Sequence, residues 1–339
     1  MQQTWQLTKQ KKKMGSETIP PTPKYLQQEE TLSEEVKHFI SSLPKENGWL
    51  ASHLYQYQGF WYPVRHLAGV LSCQKHFLPK PHDIFLVSTP KSGTTWLKAI
   101  SFSLLHRSLF PPSSPSHPLT SSNPHSLVPF LEIHHYTDGR FPDLSSSRLF
   151  STHLPISSLP KSITNNKIVY LCRNPKDIFV SLHHFTNGLK PIDSPVNSIH
   201  DAFDMFCRGV SLFGPCWDHI LGYWELSRED SNRVLFLKFE EMKERPREEV
   251  RRLAEFLGCP FTAEEEEKGV VEDVLKLCSF EGLSGLEVNR SGKLASGEEN
   301  RVFFRRGVVG DWRNYLDQEM AARFDRIAEE KFQASGLVL

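Results

Sequence analysis

Residues 91–95, Lys-Ser-Gly-Thr-Thr, combine the residue types that bind anions in proteins. They follow a short apolar run at residues 84–87 and precede Leu97, Ile100 and Leu104, which recur at helical spacing. This pattern predicts a buried strand, a tight loop and a helix. At a helix N-terminus the free backbone N–H groups and the positive end of the dipole face an anion, and the lysine adds a full charge. A plain polar turn is the alternative, but such a turn has no need of this combination.

The nucleotide P-loop, Gly-x-x-x-x-Gly-Lys-[Ser/Thr], is the obvious comparison for this loop. The match fails because Lys91 precedes Gly93, and no glycine lies five residues before Gly93. A P-loop nucleotide kinase would also need an acidic residue that holds magnesium. A nucleotide kinase is therefore an alternative that the order of these residues does not favour.

The heptapeptide at residues 90–96, Pro-Lys-Ser-Gly-Thr-Thr-Trp, instead resembles the 5′-phosphosulfate loop of the cytosolic sulfotransferases. That family binds 3′-phosphoadenosine 5′-phosphosulfate (PAPS) on a strand, loop and helix related to those of nucleotide kinases. The resemblance implies that the lysine neutralises charge on the bridging oxygen as sulfate departs, and that the tryptophan stacks on adenine. Taken alone, the tryptophan can also be a core residue. The donor contacts implied in this loop are Lys91, Ser92, Gly93, Thr94, Thr95 and Trp96.

A histidine lies at the C-terminal end of another predicted strand, in the sequence Ser-Thr-His-Leu-Pro at residues 151–155. Ligands of open α/β sheets gather outside the carboxyl ends of the strands, so His153 is well placed for chemistry. One histidine among 15 is not distinctive by itself. Its context resembles the Thr-His-Leu-Pro of sulfotransferases, and the resemblance implies that His153 is the catalytic base. The pairs at residues 134–135 and 183–184 lack matching carboxylates or cysteines and are interpreted as non-metal histidines.

A second phosphate site is implied by two further segments. The run Tyr-Leu-Cys-Arg-Asn-Pro-Lys-Asp-Ile-Phe-Val-Ser at residues 170–181 resembles the family's 3′-phosphate motif, through Arg173 and Ser181. A surface ion pair between Arg173 and Asp177 is the alternative. Residues 303–312, Phe-Phe-Arg-Arg-Gly-Val-Val-Gly-Asp-Trp, resemble the family's Arg-Lys-Gly-x-x-Gly-Asp-Trp segment, although a plain basic turn is possible. Arginine suits both places because its planar fork meets phosphate oxygens bidentately. The residues implied to complete this site are Arg305, Arg306 and Gly307.

Three positions depart from the family pattern. Arg306 lies where lysine is usual. Phe239 replaces the tyrosine that family members place against the nucleotide, so we expect weaker donor binding, because one lost hydrogen bond typically costs ~1 kcal/mol. Ser151 lies where animal members have a lysine, which plant members commonly lack. The pattern is therefore closest to that of the plant cytosolic sulfotransferases.

Strand and helix patterns alternate along the chain. Strands are predicted at residues 84–87, 149–155, 167–173 and 233–239, and helices at 32–43, from Thr94, from Asn174, at 246–257 and at 316–332. Residues 264–267 predict the start of a solvated helix. This order, without internal repeats, predicts an α/β fold with a single central, mostly parallel sheet flanked by helices. The resemblance implies the sulfotransferase topology for this fold, which is similar to that of P-loop kinases.

The remaining segments have either two alternative interpretations or a purely structural one. Residues 1–30 predict a flexible leader, which leaves a single domain over 31–339. The aromatic stretch at 55–63 predicts a β-element that packs or walls a pocket, and it also resembles a plant-type Tyr-Gln-Gly-Phe-Trp stretch. Residues 110–129 predict a long loop that either covers substrate or is floppy. The aromatic stripe at 199–226 is interpreted as core.

Composition excludes several function classes. Lysine plus arginine and aspartate plus glutamate number 40 each, so overall charge favours neither nucleic acid nor a membrane as partner. The six cysteines form no Cys-x-x-Cys pair and are interpreted as free thiols in a reducing compartment. No apolar run is long enough to cross a bilayer and no secretory signal follows Met1, so we expect a cytoplasmic protein. The basic run at residues 9–13 is interpreted as part of the solvated tail.

Together these features predict a sulfotransferase that moves the sulfuryl group of PAPS to a hydroxyl group of a small metabolite, such as a flavonol, hydroxyjasmonate or steroid. The resemblance implies a His153 base, electrostatic catalysis by Lys91 and no metal. A non-catalytic paralogue that only binds nucleotide is the other alternative, and Phe239 favours it slightly. We expect a monomer or a weak homodimer.

Overall fold

The computed structural model describes residues 32–133, 148–191 and 193–339. The predicted leader at 1–30, its basic run at 9–13 and the histidine pair at 134–135 lie outside the described residues. The strands are β1 (Lys45–Asn47), β2 (His53–Tyr57), β3 (Phe60–Tyr62), β4 (Ile84–Ser88), β5 (Leu149–Thr152), β6 (Lys167–Cys172) and β7 (Val234–Lys238). The helices are α1 (Glu34–Ser41), α2 (Val64–His76), α3 (Thr94–His106), α4 (Pro124–Leu127), α5 (Pro175–Gly188), α6 (Ile199–Cys207), α7 (Cys216–Glu229), α8 (Phe239–Glu244), α9 (Pro246–Leu257), α10 (Ala263–Glu267), α11 (Val270–Leu277), α12 (Phe280–Ser284), α13 (Glu287–Ser291) and α14 (Gln318–Phe332).

The central sheet has the strand order β5-β4-β6-β7, and all of its strands run parallel. Strand β4 is buried along its whole length, as its continuous apolar run predicts for a sheet covered on both faces. The predicted α/β fold with a mostly parallel sheet is confirmed. A second, antiparallel sheet (β1-β2-β3) contains the aromatic stretch at 55–63, whose tyrosines pack in a satellite core beside α1 and α2.

Helices cover both faces of the central sheet. On one face, side chains of α5, α6, α7 and α14 form an aromatic core, in which Phe206 and Trp217 pack against Phe324. On the other face, α3, α9 and α11 pack against Leu86, Val169 and Leu235. The aromatic stripe at 199–226 is therefore core, as predicted. Each of the six cysteines is a free thiol in the structure.

Two local predictions need correction. The strand predicted at residues 233–239 ends at Lys238, and Phe239 is the first residue of α8, so its ring leaves the sheet edge instead of continuing the strand. Residues 110–129 are not a plain loop. They contain a 3-10 turn, Pro118–Thr120, and helix α4, each with a proline in its first turn and a side-chain cap from the residue before it. This segment therefore has regular local structure, and its residues 125, 126 and 129 line a cavity.

The carboxylate of Asp177 joins the start of α5 to the segment at residues 303–312. It accepts hydrogen bonds from the backbone N–H groups of Gly310 at 2.7 Å and Trp312 at 2.9 Å. It also lies 3.5 Å from the guanidinium of Arg173, and its side chain is fully buried. Because residue 177 is far from residues 310–312 in the chain, this carboxylate is a long-range tie that holds one segment against the sheet edge.

Replacing this buried carboxylate is therefore expected to be strongly destabilising. Asp177→Ala leaves two backbone donors and one arginine without their partner, and we expect it to lower the free energy of unfolding by about 3–5 kcal/mol. Urea denaturation measures the loss. The control is Asp204→Ala, because Asp204 is 62% exposed and pairs with the exposed Arg323, so its loss is expected to cost less than about 1 kcal/mol. Equal costs for the two variants would contradict the proposed tie.

Candidate active site

A cavity of about 830 Å³ lies beyond the carboxyl ends of the central strands. Strands β4, β5, β6 and β7 are each followed there by a residue that the sequence analysis singles out. Parallel neighbours end at the same edge, so residues far apart in the chain converge. The predicted site residues that line the cavity are Lys91, Gly93, Thr94, Thr95, Trp96, His153, Arg173, Ser181, Phe239, Arg305, Arg306 and Gly307.

Ser92 differs from the other predicted residues because its side chain points into the protein. It is fully buried, and its hydroxyl lies 2.6 Å from the hydroxyl of Thr89. The neighbouring pair is similar, since the hydroxyls of Ser88 and Thr94 lie 2.7 Å apart. These contacts hold the loop against the end of β4. A direct contact of Ser92 with a ligand stays a prediction, and its side chain is placed for bracing the loop.

The backbone of the loop takes the left-handed conformation at two positions. Gly93 has φ +108°, and a Cβ there would lie 2.9 Å from the ring of Phe239, so only glycine fits without displacing that ring. Lys91 has φ 72°, which is uncommon for a residue with a side chain. Backbone strain of this kind persists where the surrounding structure enforces it, as at ligand-binding loops. The side chain of this lysine lines the cavity.

The ammonium of Lys91 lies in a confined and positively charged environment. It sits 4.0 Å from the centre of the Phe185 ring, beside the guanidinium groups of Arg173 and Arg305. Burial first, and then repulsion from Arg305 and Arg173, lowers the pKa of Lys91 to about 7. An anion in the cavity would relieve this repulsion. The arrangement therefore favours a ligand with negative charge.

Two buried arginine nitrogens in the cavity wall have no hydrogen-bond partner among the described residues. They are the Nε atoms of Arg173 and Arg305. The terminal nitrogens of Arg173 donate to the carbonyls of Val308 at 2.6 Å and Lys91 at 3.3 Å, and a terminal nitrogen of Arg305 pairs with Asp311 at 2.6 Å. Buried donors are normally satisfied, and a guanidinium group suits the oxygens of a phosphate, so these two side chains are candidates for anion binding.

The ion pair between Arg173 and Asp177 exists, but it is buried and not on the surface. The same arginine lines the cavity, so the ion pair is compatible with its predicted 3′-phosphate role, which stays a prediction. Arg306 is half exposed and pairs with Asp311 at 2.8 Å. Gly307 has φ 63°, and a Cβ there would lie 2.5 Å from the ring of Phe280, so this position also requires glycine.

Two aromatic rings pack against each other beside the anion loop. Trp96 and Phe239 meet edge to face with ring centres 5.4 Å apart, and both line the cavity. Phe239 is buried and lies 4.5 Å below the guanidinium of Arg173. Trp96 therefore belongs to the cavity as well as to the adjoining core. Flat rings of this kind suit a stacked heterocycle.

His153 is held by hydrogen bonds at its ring and at both backbone polar groups. Its Nδ1 lies 2.7 Å from the carbonyl of Ser88, which can only accept, so the proton is on Nδ1 and Nε2 carries the free lone pair. The backbone N–H donates to the Glu132 carboxylate at 2.8 Å, and the carbonyl lies 2.9 Å from Nε2 of His219. Burial lowers the pKa of His153 to about 3, so the ring is neutral at physiological pH. A neutral imidazole with a free Nε2 is a proton acceptor.

The cavity around His153 is apolar. The rings of Phe130 and Phe213 lie 4.9 Å and 5.4 Å from the imidazole. A further imidazole, that of His66, packs edge to face on Phe213, and burial lowers its pKa to about 4. Leu212 and Ile133 complete this wall. The apolar wall fits a small hydrophobic or aromatic molecule whose reacting group faces His153.

Several functional candidates were missed by the sequence analysis. Lys98 is fully buried one turn into α3, and His125 and Phe130 come from the segment that was predicted to be a loop and its end. Glu132, which anchors His153, is also buried. No sequence signal pointed to these residues, because their contacts are long-range.

No helix in the described part of the chain is long and apolar enough to cross a membrane. Within residues 32–133, 148–191 and 193–339, no group of three or more His, Cys, Asp or Glu residues is placed to hold a metal ion. In the pair at residues 183–184, Nε2 of His183 lies 2.9 Å from the carbonyl oxygen of Asn197.

Comparison with known proteins gives a consistent result. Residues 81–336 match the family model described as the sulfotransferase domain. The chain is 52% identical to cytosolic sulfotransferase 5 of Arabidopsis thaliana over 314 residues, which cover 91% of this chain and 97% of that protein. A solved Arabidopsis thaliana sulphotransferase is 46% identical and superposes with a TM-score of 0.73 over 93% of this chain and 98% of that one. A mouse sulfotransferase complexed with PAP is 27% identical, with a TM-score of 0.64, over 83% of this chain and 95% of that one.

The lowered pKa of Lys91 predicts that anion binding depends on pH. The lysine is charged below its pKa of about 7 and loses its charge as pH rises through that value. We expect the affinity for sulfate, which stays a dianion throughout, to fall about tenfold between about pH 6 and pH 8. Isothermal titration calorimetry measures the affinity. In the control Lys91→Arg the charge persists at both pH values, so its affinity is expected to be nearly flat. An equally steep fall in that variant would contradict the assignment to Lys91.

Proposed function

The chain belongs to the sulfotransferase family, and from this premise we propose that it transfers the sulfuryl group of PAPS to a hydroxyl group of a small hydrophobic or aromatic metabolite. The observation that carries the proposal is that the free Nε2 of His153 lies in the same cavity as Lys91 and the arginine cluster. Because the chain belongs to this family, we no longer propose the nucleotide kinase as an alternative.

The donor would be held at three places by this chain's own residues. The loop at residues 91–95 and the N-terminus of α3 would bind the 5′-phosphosulfate. Arg173 and Arg305, whose Nε groups lack partners among the described residues, would bind the 3′-phosphate with Ser181, Arg306 and Gly307. The ring of Trp96, which packs against Phe239, would stack on the adenine. A related mouse enzyme is complexed with PAP, which supports a nucleotide of this class.

The proposed transfer needs a base and a positive group. PAPS supplies a sulfuryl group on a phosphate that leaves with the electrons of the broken sulfur–oxygen bond. Nε2 of His153 accepts the proton of the acceptor hydroxyl as that oxygen bonds to sulfur. Lys91 neutralises the charge that builds on the departing bridging oxygen. The negative charge of the bound donor would raise the pKa of both residues. A higher pKa favours proton uptake by His153 and keeps Lys91 charged.

The acceptor chemistry follows from the wall around His153. Phe130, Phe213 and Leu212 give it an apolar and largely aromatic surface, so a flavonol, hydroxyjasmonate, steroid or similar hydroxylated metabolite fits. The relatives of this chain are named cytosolic, and we propose a cytoplasmic location for this protein as well.

The role of His153 predicts a separation between turnover and binding. His153→Ala removes the base, so we expect sulfate transfer to fall at least about a hundredfold while PAP binds with nearly wild-type affinity. Transfer of labelled sulfate onto a panel of flavonols, hydroxyjasmonates, steroids and desulfoglucosinolates measures turnover, and calorimetry measures binding. The matched control is His200→Ala, at an exposed histidine on α6, which should transfer sulfate normally.

Wild-type-like turnover in His153→Ala would overturn the proposed base. If the unaltered protein binds PAP but sulfates nothing on the panel, the alternative of a non-catalytic nucleotide-binding protein would be favoured instead.

Phe239 provides a second, opposite test. Phe239→Tyr restores the hydroxyl that family members place against the nucleotide, and we expect PAP to bind about fivefold more tightly through one added hydrogen bond. Calorimetric titration of PAP into both proteins measures the change. Unchanged or weaker binding would show that the ring at position 239 does not present this hydroxyl to the nucleotide.

A further inference from the structure

A second lysine lies beneath the anion loop, fully buried in the first turns of α3. The ammonium of Lys98 lies 2.9 Å from the carbonyl of Val128, 3.0 Å from Nδ1 of His125 and 3.3 Å from the centre of the Phe130 ring. A carbonyl, an imidazole lone pair and an aromatic face are three acceptors, and they match the three hydrogens of an ammonium group. Burial lowers the pKa of Lys98, while the nearby Glu132 opposes that shift.

His125 links this lysine to the loop. A neutral imidazole has one donor and one acceptor nitrogen. Because Nδ1 accepts from Lys98, the proton must be on Nε2, which lies 2.9 Å from the hydroxyl oxygen of Thr95 and donates to it. Burial and the charge of Lys98 lower the pKa of His125, which agrees with a neutral ring. The hydroxyl hydrogen of Thr95 is then left free to donate into the cavity that this residue lines.

The position of His125 is itself fixed. Its backbone N–H donates to the side-chain oxygen of Asn123 at 2.8 Å, and the amide of Asn123 donates to that of Asn289 at 2.8 Å. Its ring stacks on Phe130 with the two ring centres 5.4 Å apart. Both asparagines are buried. The imidazole therefore has one orientation available.

We propose that Lys98 and His125 are positioning residues that orient the hydroxyl of Thr95 as a hydrogen-bond donor to the anionic end of the sulfuryl donor. Lys98 selects the tautomer of His125, and His125 donates to one of the two lone pairs of the threonine hydroxyl, so that the hydroxyl hydrogen points away from His125. A hydroxyl with a free choice would present a lone pair to the anion part of the time. This inference rests on the proposed function, since it assumes that PAPS or PAP occupies the cavity.

Two substitutions of His125 separate its two nitrogens. In His125→Gln, the side-chain amide nitrogen lies near the place of Nε2 and still donates to Thr95. In His125→Asn, the shorter amide lies near Nδ1, meets Lys98 and does not reach Thr95. We expect PAP affinity, measured by calorimetry, to fall about five- to tenfold in His125→Asn and less than about threefold in His125→Gln. Equal losses in the two variants would overturn the proposal.

A double-mutant cycle shows whether His125 acts through Thr95. Thr95→Val keeps the shape of the side chain and removes its hydroxyl, and we expect PAP affinity to fall about five- to tenfold. Adding His125→Asn to Thr95→Val should then cost less than about twofold more. Losses that multiply would overturn the proposed coupling. A wild-type protein that does not bind PAP would overturn the proposed function itself, whereas wild-type binding with multiplying losses refutes only this inference.

The tautomer can be observed directly in the wild-type protein. Nitrogen NMR of protein labelled in its histidine rings distinguishes protonated from bare ring nitrogens, and His125→Asn assigns the signal. We expect His125 to carry its proton on Nε2 in the wild-type protein. A proton on Nδ1 would overturn the proposal, because the threonine hydroxyl would then donate to the histidine.

Discussion

Mutual repulsion among three cations is the constraint on which the rest of this structure depends. Lys91, Arg173 and Arg305 share one buried cavity in a chain with no net charge, so the fold must hold them together against their repulsion. Asp177 and Asp311 supply part of the compensation from the far side of the arginines. The charge that remains adds to the effect of burial in lowering the pKa of the lysine, and the Nε atoms of both arginines have no partner within the described part of the chain. A polyanion is the chemical complement of such a site.

The parallel sheet makes this concentration of charge possible. The carboxyl ends of β4, β5 and β6 lie side by side, so the anion loop, His153 and Arg173 emerge at one edge although they are distant in sequence. His153 and Lys91 differ in their surroundings at this edge. The backbone N–H of His153 donates to Glu132 and its Nδ1–H donates to Ser88, which leaves Nε2 of a neutral imidazole free, whereas Lys91 has a left-handed backbone and lies among other cations. One edge thus presents a proton acceptor and a charge neutraliser to the same space.

The motifs that consist of a few contiguous residues could be identified from the sequence alone. The loop at 91–95, the Thr-His-Leu-Pro segment and the two arginine segments were each placed in one cavity, and α9 was predicted with its observed bounds. Apolar periodicity and helix-cap residues act over a few residues, so they survive in the sequence. Strand ends were less certain, because the local pattern at 233–239 does not show that Phe239 turns into a helix.

Residue identity alone therefore determined the fold class, the family and the anion loop, since each depends on contiguous residues or on a period along the chain. Only the tertiary structure decided which nitrogen of His153 is free, that Ser92 faces inward, and that Lys98 meets His125 across 27 positions of sequence. Those features depend on hydrogen bonds between segments that approach one another only after folding. A hydrogen bond sets a tautomer or a side-chain direction through its partner, and no local pattern names that partner.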